Sequence, residues 1–484
     1  MSDLNDVVIG LEIHCQLTSL KTKLFCGCSA NYRDKPPNTL LCPICLGLPG
    51  SLPVLNGRAT ELAVMVALAL KSEVSERSLF FRKNYYYPDM PKNFQISQYD
   101  KSGGIPIAVG GSIVFGSDGE EKTVQIIRSQ LEEDPARLIY LGSIDTSPYT
   151  LVDYNRAGVA LLEIVTQPAL RSPKEARLFL QKLRSILEHL GVSNGGLEGA
   201  MRCDANISLT GGKRVEIKNI SSFKEVERAL KYEITRQRSL VARGRNVAME
   251  TRHWDEVKRV TISLRTKEEE HDYRYFPEPD LVPIAISKEY LGTIAATMPE
   301  LPDARCERFL REYGIPHYDA EVLTSDKAMS DFFEKCVRLG GDAKDVSNWI
   351  MTDFLRWLHE EDLEVRSSRV TPKHLVEMIS LIKDGTTSGK LGKTILRAMM
   401  KTGKSAREIV KTEGLARIAS EREIEELVDR VVQENPKAVQ DAFSDEKAVH
   451  FLIGQIMRSS KGKADPTLAN KVMREKLEEL KKRA

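Results

Sequence analysis

The sequence predicts an α+β protein in which an antiparallel sheet comes first and helices follow. Segments before about residue 290 mix strand-like alternation of apolar and polar residues with helical patterns, whereas later segments are helical almost throughout. Prolines cluster between these two parts, and such clusters interrupt regular elements at domain edges. The cluster comprises Pro277, Pro279, Pro283, Pro299 and Pro302.

Composition and charge exclude several classes of protein. The chain has 484 residues, with 71 Lys and Arg against 69 Asp and Glu, and this balance argues against binding nucleic acid by overall charge alone. The longest apolar run, from Leu62 to Leu70, is nine residues long, which is far short of a membrane span. The first six residues lack the features of a secretory signal. We therefore expect a cytoplasmic protein of two or three domains that makes no membrane contact.

Four cysteines form two close pairs near the N-terminus. Cys26 and Cys28 are one residue apart, Cys42 and Cys45 are two residues apart, and 13 residues separate the pairs. Disulfides are not expected without a secretory signal, and two short pairs supply the four soft ligands of a structural zinc site. Four thiolates leave no open position for catalysis. The spacing therefore predicts a zinc loop over residues 26–45, with four reduced thiols and no metal as the alternative.

Polar side chains are expected to share one face of several strands. Residues 7–17 alternate so that Glu12 and His14 lie on the face opposite the apolar residues. Residues 201–209 and 214–218 continue this pattern across a hairpin-type turn, and a further strand leads into an acidic run at 132–134. The polar residues of these later segments are Arg202, Asp204, Asn206, Glu216, Lys218, Glu132 and Glu133.

These polar faces can be interpreted in two ways. Each strand taken singly is typical of an antiparallel sheet with one solvated face. Taken together, the carboxylates and the imidazole suit a magnesium ion, and the Arg and Lys side chains suit phosphate oxygens. The set therefore predicts a sheet face that binds ATP with Mg²⁺ and stabilises phosphoryl transfer.

One segment imitates a phosphate-binding loop. Residues 389–394 read Gly-Lys-Leu-Gly-Lys-Thr, but Thr387 stands where that motif requires its first glycine, and no strand precedes it. We expect this segment to be a helix–helix connection. The chain also lacks the sequence signature of a serine nucleophile, so the sheet face remains the predicted centre of the chemistry.

Longer motifs follow one another in order along the chain, at residues 9–14, 42–56, 82–91, 95–100, 131–134, 152–158, 161–164, 202–206, 216–219 and 272–281. Through these motifs the chain resembles the B subunits of the tRNA-dependent amidotransferase family. This resemblance implies an antiparallel-sheet cradle of glutamine synthetase-like fold, followed by an all-α helical domain and a YqeY-like helical tail. The implied boundaries are residues 1–295, 296–410 and 411–484.

The resemblance also implies a reaction and partners. ATP would phosphorylate the side-chain carboxylate of Asp or Glu misacylated onto tRNA(Asn) or tRNA(Gln), because phosphate is a far better leaving group than oxide. Ammonia would then displace the phosphate and give Asn-tRNA or Gln-tRNA. The ammonia would come from glutamine hydrolysed by a separate A subunit, and a small C subunit would complete a heterotrimer.

The resemblance further implies roles for individual residues. Glu12, His14 and Glu132 are expected to bind Mg²⁺. For Asp204 and Asn206 a structural role remains open, in which their side chains form local hydrogen bonds within the hairpin. Two positions depart from the pattern that bacterial members of the family usually show. Gln130 stands in place of a histidine, and Pro135-Ala136-Arg137 stands in place of Ala-Gly-Lys. The expected catalytic residues are Glu12, His14, Glu132, Glu133, Asp204, Asn206, Glu216, Lys218 and Arg274, and the expected ATP-binding residues are Glu12, His14, Glu132, Arg202 and Lys218.

The C-terminal end is locally basic. Residues 455–484 hold nine Lys or Arg and four Asp or Glu, and the turn at 459–463 suits contact with backbone phosphates. We therefore expect the tail to bind tRNA. Two other functions remain open: a self-contained ligase of glutamine synthetase type acting on a free small molecule, and a non-catalytic zinc-containing tRNA-binding protein. The first predicts ATP turnover without tRNA or partners, and the second predicts tRNA binding without ATP hydrolysis.

Overall fold

A computed structural model describes residues 7–100, 103–142, 147–266, 273–416, 420–460 and 462–483. The chain divides into two compact units, Met1–Pro302 and Asp303–Ala484. The N-terminal six residues, Asp272 of the motif at 272–281 and Lys461 of the basic turn lie outside the described residues. Within the described ranges, no helix combines the length and the apolar character needed to cross a bilayer.

The first unit is built on a large, mainly antiparallel sheet. The strands of this unit are β1 (Val7–Gln16), β2 (Glu73–Val74), β3 (Arg77–Ser78), β4 (Phe81–Asn84), β5 (Phe94–Ser97), β6 (Ala108–Val109), β7 (Ser112–Ser117), β8 (Glu120–Glu133), β9 (Arg137–Tyr140), β10 (Thr150–Asp153), β11 (Ala160–Thr166), β12 (Met201–Leu209), β13 (Val215–Lys218), β14 (Glu250–Asp255), β15 (Val260–Thr266), β16 (Phe276–Pro277) and β17 (Ile284–Ala285). Across the described part of the chain the large sheet has thirteen strands, and ten of them follow the order β15-β14-β13-β12-β1-β11-β8-β5-β4-β16. Only β13 and β14 run parallel along this path.

Helices cover one face of this sheet. The apolar side chains of β1 share a core with Phe179 and Leu183 of α2 (Pro173–His189) and with Val226 of α3 (Phe223–Ala242). The start of α2 follows from its sequence, because the Ser172 side chain accepts a hydrogen bond from the Glu175 N–H at its N-terminus. The apolar face of β1 is therefore buried, and its polar face is left to line a cavity. The helices of this unit are α1 (Gly57–Ala69), α2 (Pro173–His189), α3 (Phe223–Ala242) and α4 (Lys288–Ala296).

The second unit is helical throughout its described residues. One buried core includes Phe309, Phe333 and Leu396, and another includes Val428 and Leu452. A π-helical turn, Ile350–Phe354, lies between α8 (Ala343–Trp349) and α9 (Leu355–Glu360). The helices are α5 (Pro302–Tyr313), α6 (His317–Ser325), α7 (Lys327–Arg338), α8 (Ala343–Trp349), α9 (Leu355–Glu360), α10 (Pro372–Lys383), α11 (Gly389–Thr402), α12 (Ala406–Thr412), α13 (Glu421–Glu434), α14 (Pro436–Asp441), α15 (Glu446–Ser459) and α16 (Pro466–Arg483).

The structure confirms the predicted combination of a large sheet followed by helices, but one local prediction is wrong. Residues 389–394 begin helix α11 rather than connect two helices. Ser388 caps that helix by accepting a hydrogen bond from the Leu391 N–H. A Cβ at Gly392 would lie 2.7 Å from Cδ1 of Ile382, so this glycine permits close helix packing. Its presence is thus explained by packing, without a bound phosphate.

Candidate active site

The polar face of the large sheet lines a cavity of about 910 Å³. Strand β1 lies at its centre, with β12 on one side and β11 on the other. Glu12 is directly opposite Asp204 on β12, and His14 is directly opposite Glu163 on β11. Opposed residues of paired strands project from the same face. The strand pairing therefore gathers these side chains in one cavity.

His14, Glu132 and Glu163 form a first acidic cluster. One possible ligand atom from each lies within 4.8 Å of the others, and His14 Nε2 is 3.5 Å from Glu132 Oε1. Ser97 Oγ donates to Glu132 at 3.2 Å, and Gln130 Nε2 donates to Glu163 at 2.7 Å. Gln130, which departs from the common pattern, thus orients a carboxylate of the cluster.

Burial raises the pKa of both carboxyls in the first acidic cluster. The pKa of Glu163 rises to about 7, first because the group is buried and then because of the negative charge of Glu132. Burial likewise raises the pKa of Glu132, although the positive charge of Lys83 opposes the rise. A divalent cation would relieve both the burial cost and the repulsion. An imidazole with two carboxylates fits such an ion.

Glu12, Asp204 and Glu216 form a second acidic cluster, in which possible ligand atoms again lie within 4.8 Å of one another. Lys218 Nζ lies 3.0 Å from Asp204 Oδ2 and 3.4 Å from Glu216 Oε1. The charge of Asp204 raises the pKa of Lys218, so its ammonium stays protonated. Asn206 Nδ2 donates to Glu12 Oε1 at 3.3 Å. Three carboxylates around one ammonium leave this cluster net negative and able to hold a cation.

The structure divides the three residues expected to bind one magnesium ion. His14 and Glu132 lie in the first acidic cluster, whereas Glu12 lies in the second. The reason is that β1 pairs with different strands on its two sides. Glu163 was not predicted as a site residue, because the sequence of β11 is a mostly apolar run. In the structure every residue of this strand is buried. A single glutamate within an otherwise mostly apolar run was the available signal, since carboxylates are rarely placed in buried strands.

A buried carboxylate fixes Arg202 at the edge of the cavity. Asp134 Oδ1 accepts a hydrogen bond from Arg202 Nη2 at 2.6 Å, and Oδ2 accepts one from Gln16 Nε2 at 2.7 Å. Arg156 Nε is 3.6 Å from the same carboxylate. Burial acts to raise the pKa of Asp134, but the two guanidinium groups outweigh it and hold that pKa below its usual value. Asp134 therefore stays ionised and orients Arg202 toward the cavity.

Two residues expected to be catalytic lie elsewhere. Glu133 points to the other face of β8, where it pairs with Lys92 and accepts a hydrogen bond from the Ile96 N–H at 2.9 Å. Successive residues of a strand alternate between faces, so Glu132 and Glu133 cannot both line the cavity. The guanidinium of Arg274 lies 5.7 Å from the ring centre of Tyr86. It is absent from the cavity lining, although the tyrosines on either side of it contribute to that lining.

The four cysteines of the loop at 26–45 converge. Their sulfur atoms all lie within 4.8 Å of one another, and all four are free thiols. Cys42 Sγ and Cys45 Sγ are 3.8 Å apart. A hydrogen bond from Cys26 and the positive charge of the buried Lys23 lower the pKa of Cys45. Four converging soft ligands fit a tetrahedral zinc ion.

The sequence matches known protein families along most of its length. Residues 7–292 match the family described as GatB/GatE catalytic domain, and residues 331–477 match the family described as GatB domain. The chain is similar to proteins named as B subunits of aspartyl/glutamyl-tRNA(Asn/Gln) amidotransferase. The one from Sulfolobus acidocaldarius is 51% identical over 472 residues, which is 97% of this chain and 99% of that protein. The one from Thermotoga maritima is 50% identical over 480 residues, covering 97% of this chain and 98% of that protein.

Proposed function

The chain belongs to the GatB/GatE family, and from this premise we infer that it is the B subunit of a tRNA-dependent amidotransferase. Such an enzyme is a carbon–nitrogen ligase of protein biosynthesis. It acts with an A subunit and a C subunit, and it converts Asp-tRNA(Asn), Glu-tRNA(Gln) or both into the amidated products. A self-contained ligase and a non-catalytic tRNA-binding protein are not supported by these relatives, which are all named as amidotransferase subunits.

The observation that carries the proposal is the pair of acidic clusters on one face of the sheet. They share a cavity with Lys83, Arg202 and Lys218. Carboxylates in two groups suit divalent cations, and the neighbouring ammonium and guanidinium groups suit phosphate oxygens. A site for ATP and an anionic acyl group needs both kinds of side chain in one place.

The proposed reaction has two steps. An oxygen of the side-chain carboxylate on the misacylated tRNA forms a bond to the γ-phosphorus of ATP, and the bond from that phosphorus to the ADP oxygen breaks. The nitrogen of ammonia then bonds to the acyl carbon, the bond to the phosphate oxygen breaks, and inorganic phosphate leaves as nitrogen loses a proton. Divalent cations, when bound, would neutralise charge on the transferred phosphoryl group.

The protein's own side chains would bind and orient the reactants. His14, Glu132 and Glu163 would hold one cation, and the second acidic cluster would hold another. Arg202, fixed by Asp134, and Lys218 would bind phosphate oxygens by charge-assisted hydrogen bonds. Such fixed charges stabilise a developing negative charge without having to reorganise during the reaction.

The proposal extends to the folds of the individual domains, the role of the tail and the zinc site. The sheet would be a cradle of glutamine synthetase-like fold within residues 1–295, supported by its antiparallel strands with a polar inner face. Residues 296–410 would form a helical domain, and the tail at 411–484 would bind tRNA in the cytoplasm. The four thiols would hold a structural zinc that fixes the loop at 26–45, because they converge without forming disulfides.

Reconstitution tests the proposed function. The chain is combined with A and C subunits, ATP, glutamine and each misacylated tRNA, and amidated tRNA is measured. We expect Glu12→Gln and His14→Ala to abolish amidation while tRNA binding persists. Glu120→Gln, on an exposed part of β8, is the matched control and should retain full activity. Product formed at the wild-type rate by the His14→Ala enzyme would contradict the assigned site, and amidation without ATP would contradict the reaction.

A further inference from the structure

A series of hydrogen bonds leads from the loop at 26–45 to Arg202 at the edge of the cavity. Gln16 lies at its centre; it is the last residue of β1 and is only 1% exposed. Its Oε1 accepts a hydrogen bond from Arg33 Nη2 at 2.7 Å, and its Nε2 donates one to Asp134 Oδ2 at 2.7 Å. Asp134 Oδ1 in turn accepts a hydrogen bond from Arg202 Nη2 at 2.6 Å. We call Arg33, Gln16 and Asp134 the Gln16 network.

The neighbours of Gln16 need a side chain that both donates and accepts. A guanidinium can only donate hydrogen bonds, and an ionised carboxylate can only accept them. The group between Arg33 and Asp134 must therefore accept on one side and donate on the other. A glutamate at this position would turn an acceptor toward Asp134, and a lysine would turn a donor toward Arg33. The amide of Gln16 meets both demands, and its two neighbours also fix which of its atoms is the oxygen.

Arg33 is itself held in place by the residues around it. Its Nε and Nη2 donate to the carbonyl oxygen of Glu198 at 3.2 and 2.9 Å, and its Cζ lies 4.8 Å from the ring centre of Tyr32. The Gln16 amide also donates to the Tyr32 hydroxyl at 3.1 Å. Tyr32 and Arg33 both lie between the two cysteine pairs, so the position of this loop determines where the Gln16 amide lies.

A second connection reaches Asp134 from the same loop. The backbone N–H of Leu40 donates to Asn155 Oδ1 at 2.8 Å, and Asn155 Nδ2 donates to the carbonyl oxygen of Pro36 at 2.8 Å. Asn155 is completely buried, and it precedes Arg156, whose Nε lies 3.6 Å from Asp134 Oδ1. Both connections from the loop therefore end at the same buried carboxylate.

We propose that Gln16 and Arg33 are positioning residues, through which the loop at 26–45 fixes the direction of Arg202 in the cavity. The inference rests on the proposed function, in which Arg202 binds phosphate oxygens. Neither Gln16 nor Arg33 is among the described residues that line the cavity, so both act through Arg202 and not on the reactants. A guanidinium that is held in advance stabilises charge on the transferred phosphoryl group without first having to reorganise. The loop therefore serves the chemistry as well as the fold of the first unit.

Steady-state kinetics of the reconstituted complex tests the inference with Gln16→Met, which keeps the length of the side chain but removes its donor and its acceptor. We expect kcat for amidation to fall roughly tenfold to a hundredfold, which is the order of loss that misplacing a catalytic group produces. KM for ATP should change by less than about threefold, because Arg202 keeps its charge and loses only the fixed direction that matters in the transition state.

Gln237→Met is the matched control. Gln237 is also a completely buried glutamine that donates to a buried carboxylate, Glu233 Oε1, at 2.9 Å, but it belongs to α3 and is not among the described residues of the cavity lining. Thermal unfolding verifies that both variants fold, and kcat should fall only in Gln16→Met. A purely structural role of Gln16 would make the two variants alike in kcat, and that result would overturn the inference.

A double-mutant cycle tests whether the effect passes through Arg202. In an Arg202→Met background, Gln16→Met should cause no further loss of kcat, because the group that it positions is already absent. Losses that multiply in the double variant would show that Gln16 acts by another route and would overturn the inference.

Arg33→Met provides a second test that does not alter the buried strand. It should lower kcat by a smaller factor than Gln16→Met, because Tyr32 and Asp134 still hold the Gln16 amide, and it gives the result if Gln16→Met does not fold. Wild-type kcat in Arg33→Met would overturn the inference while leaving the proposed function intact. Failure of amidation by the wild-type complex would contradict the proposed function and, with it, this inference.

Discussion

Replacing Glu163 with glutamine tests whether the first acidic cluster binds a divalent cation through an ionised carboxylate. The residue is only 8% exposed, and burial raises its pKa to about 7. A metal binds the ionised carboxylate, so protons compete with the metal below that pKa. The affinity of wild-type protein for the cation should therefore rise as pH rises through about 7.

The magnitude follows from the pKa. With a pKa of about 7, roughly 10% of the Glu163 carboxyl is ionised near pH 6 and about 90% near pH 8, so affinity should rise about ninefold. Without metal, the raised pKa means that the folded state binds more protons than the unfolded state between 4.5 and about 7. Metal-free wild type should therefore lose about 3 kcal/mol of stability as pH rises through that interval. Glu163→Gln removes this loss, because glutamine does not titrate.

Binding of Mn²⁺, followed by electron paramagnetic resonance near pH 6 and near pH 8, provides the assay. Wild type and Glu163→Gln are compared in an Asp204→Asn background, so that the second acidic cluster does not mask the first. We expect the ninefold pH dependence only with Glu163 present, and weaker binding near pH 8 without it. Glu120→Gln, an exposed glutamate of β8, should behave like wild type. Equal affinity at both pH values, or an unchanged Glu163→Gln variant, would refute the reasoning.

Two further predictions concern buried charge and the proposed zinc site at 26–45. Asp134→Asn leaves two guanidinium groups without their carboxylate, so denaturant unfolding should show a loss of roughly 3 to 5 kcal/mol. Asp118→Asn, which breaks only an exposed pair with Lys174, should show no loss, and equal stability of the two variants would argue against a structural role for Asp134. Cys42→Ser should lower the zinc content of purified protein, measured by atomic absorption, whereas Cys336→Ser should not. Equal zinc content in these two variants would exclude the four-cysteine site.

The sequence allowed the polar face of the sheet to be predicted, because alternation along a strand is a local property. Glu12, His14, Asp204 and Lys218 line one cavity as that alternation implies. Their division into two acidic clusters could not be predicted in this way. It depends on β1 pairing with β12 on one side and β11 on the other, and strand order is set by contacts between residues far apart in the chain.

The differences between the expected and the observed placements have similar physical causes. Glu133 was grouped with Glu132 by motif, although neighbouring strand residues must face opposite sides. Glu163 is hidden in a strand whose other residues are mostly apolar, so its environment is known only once β8 lies beside it. Residues 389–394 were expected to connect two helices, but they begin α11, and Gly392 is explained by close packing against Ile382 of α10.

The position of β1 in the sheet has a consequence for synthesis on the ribosome. This strand is made first, yet its neighbours β11 and β12 begin only at Ala160 and Met201. At about 5 to 20 residues per second, roughly 7 to 30 s pass before the first neighbour is translated. During that time the buried row of Ile9, Leu11 and Ile13 has neither strand partner available. The nascent chain should therefore depend on chaperones early in translation, and substitutions that make this row more apolar should lower soluble yield before they alter the finished enzyme.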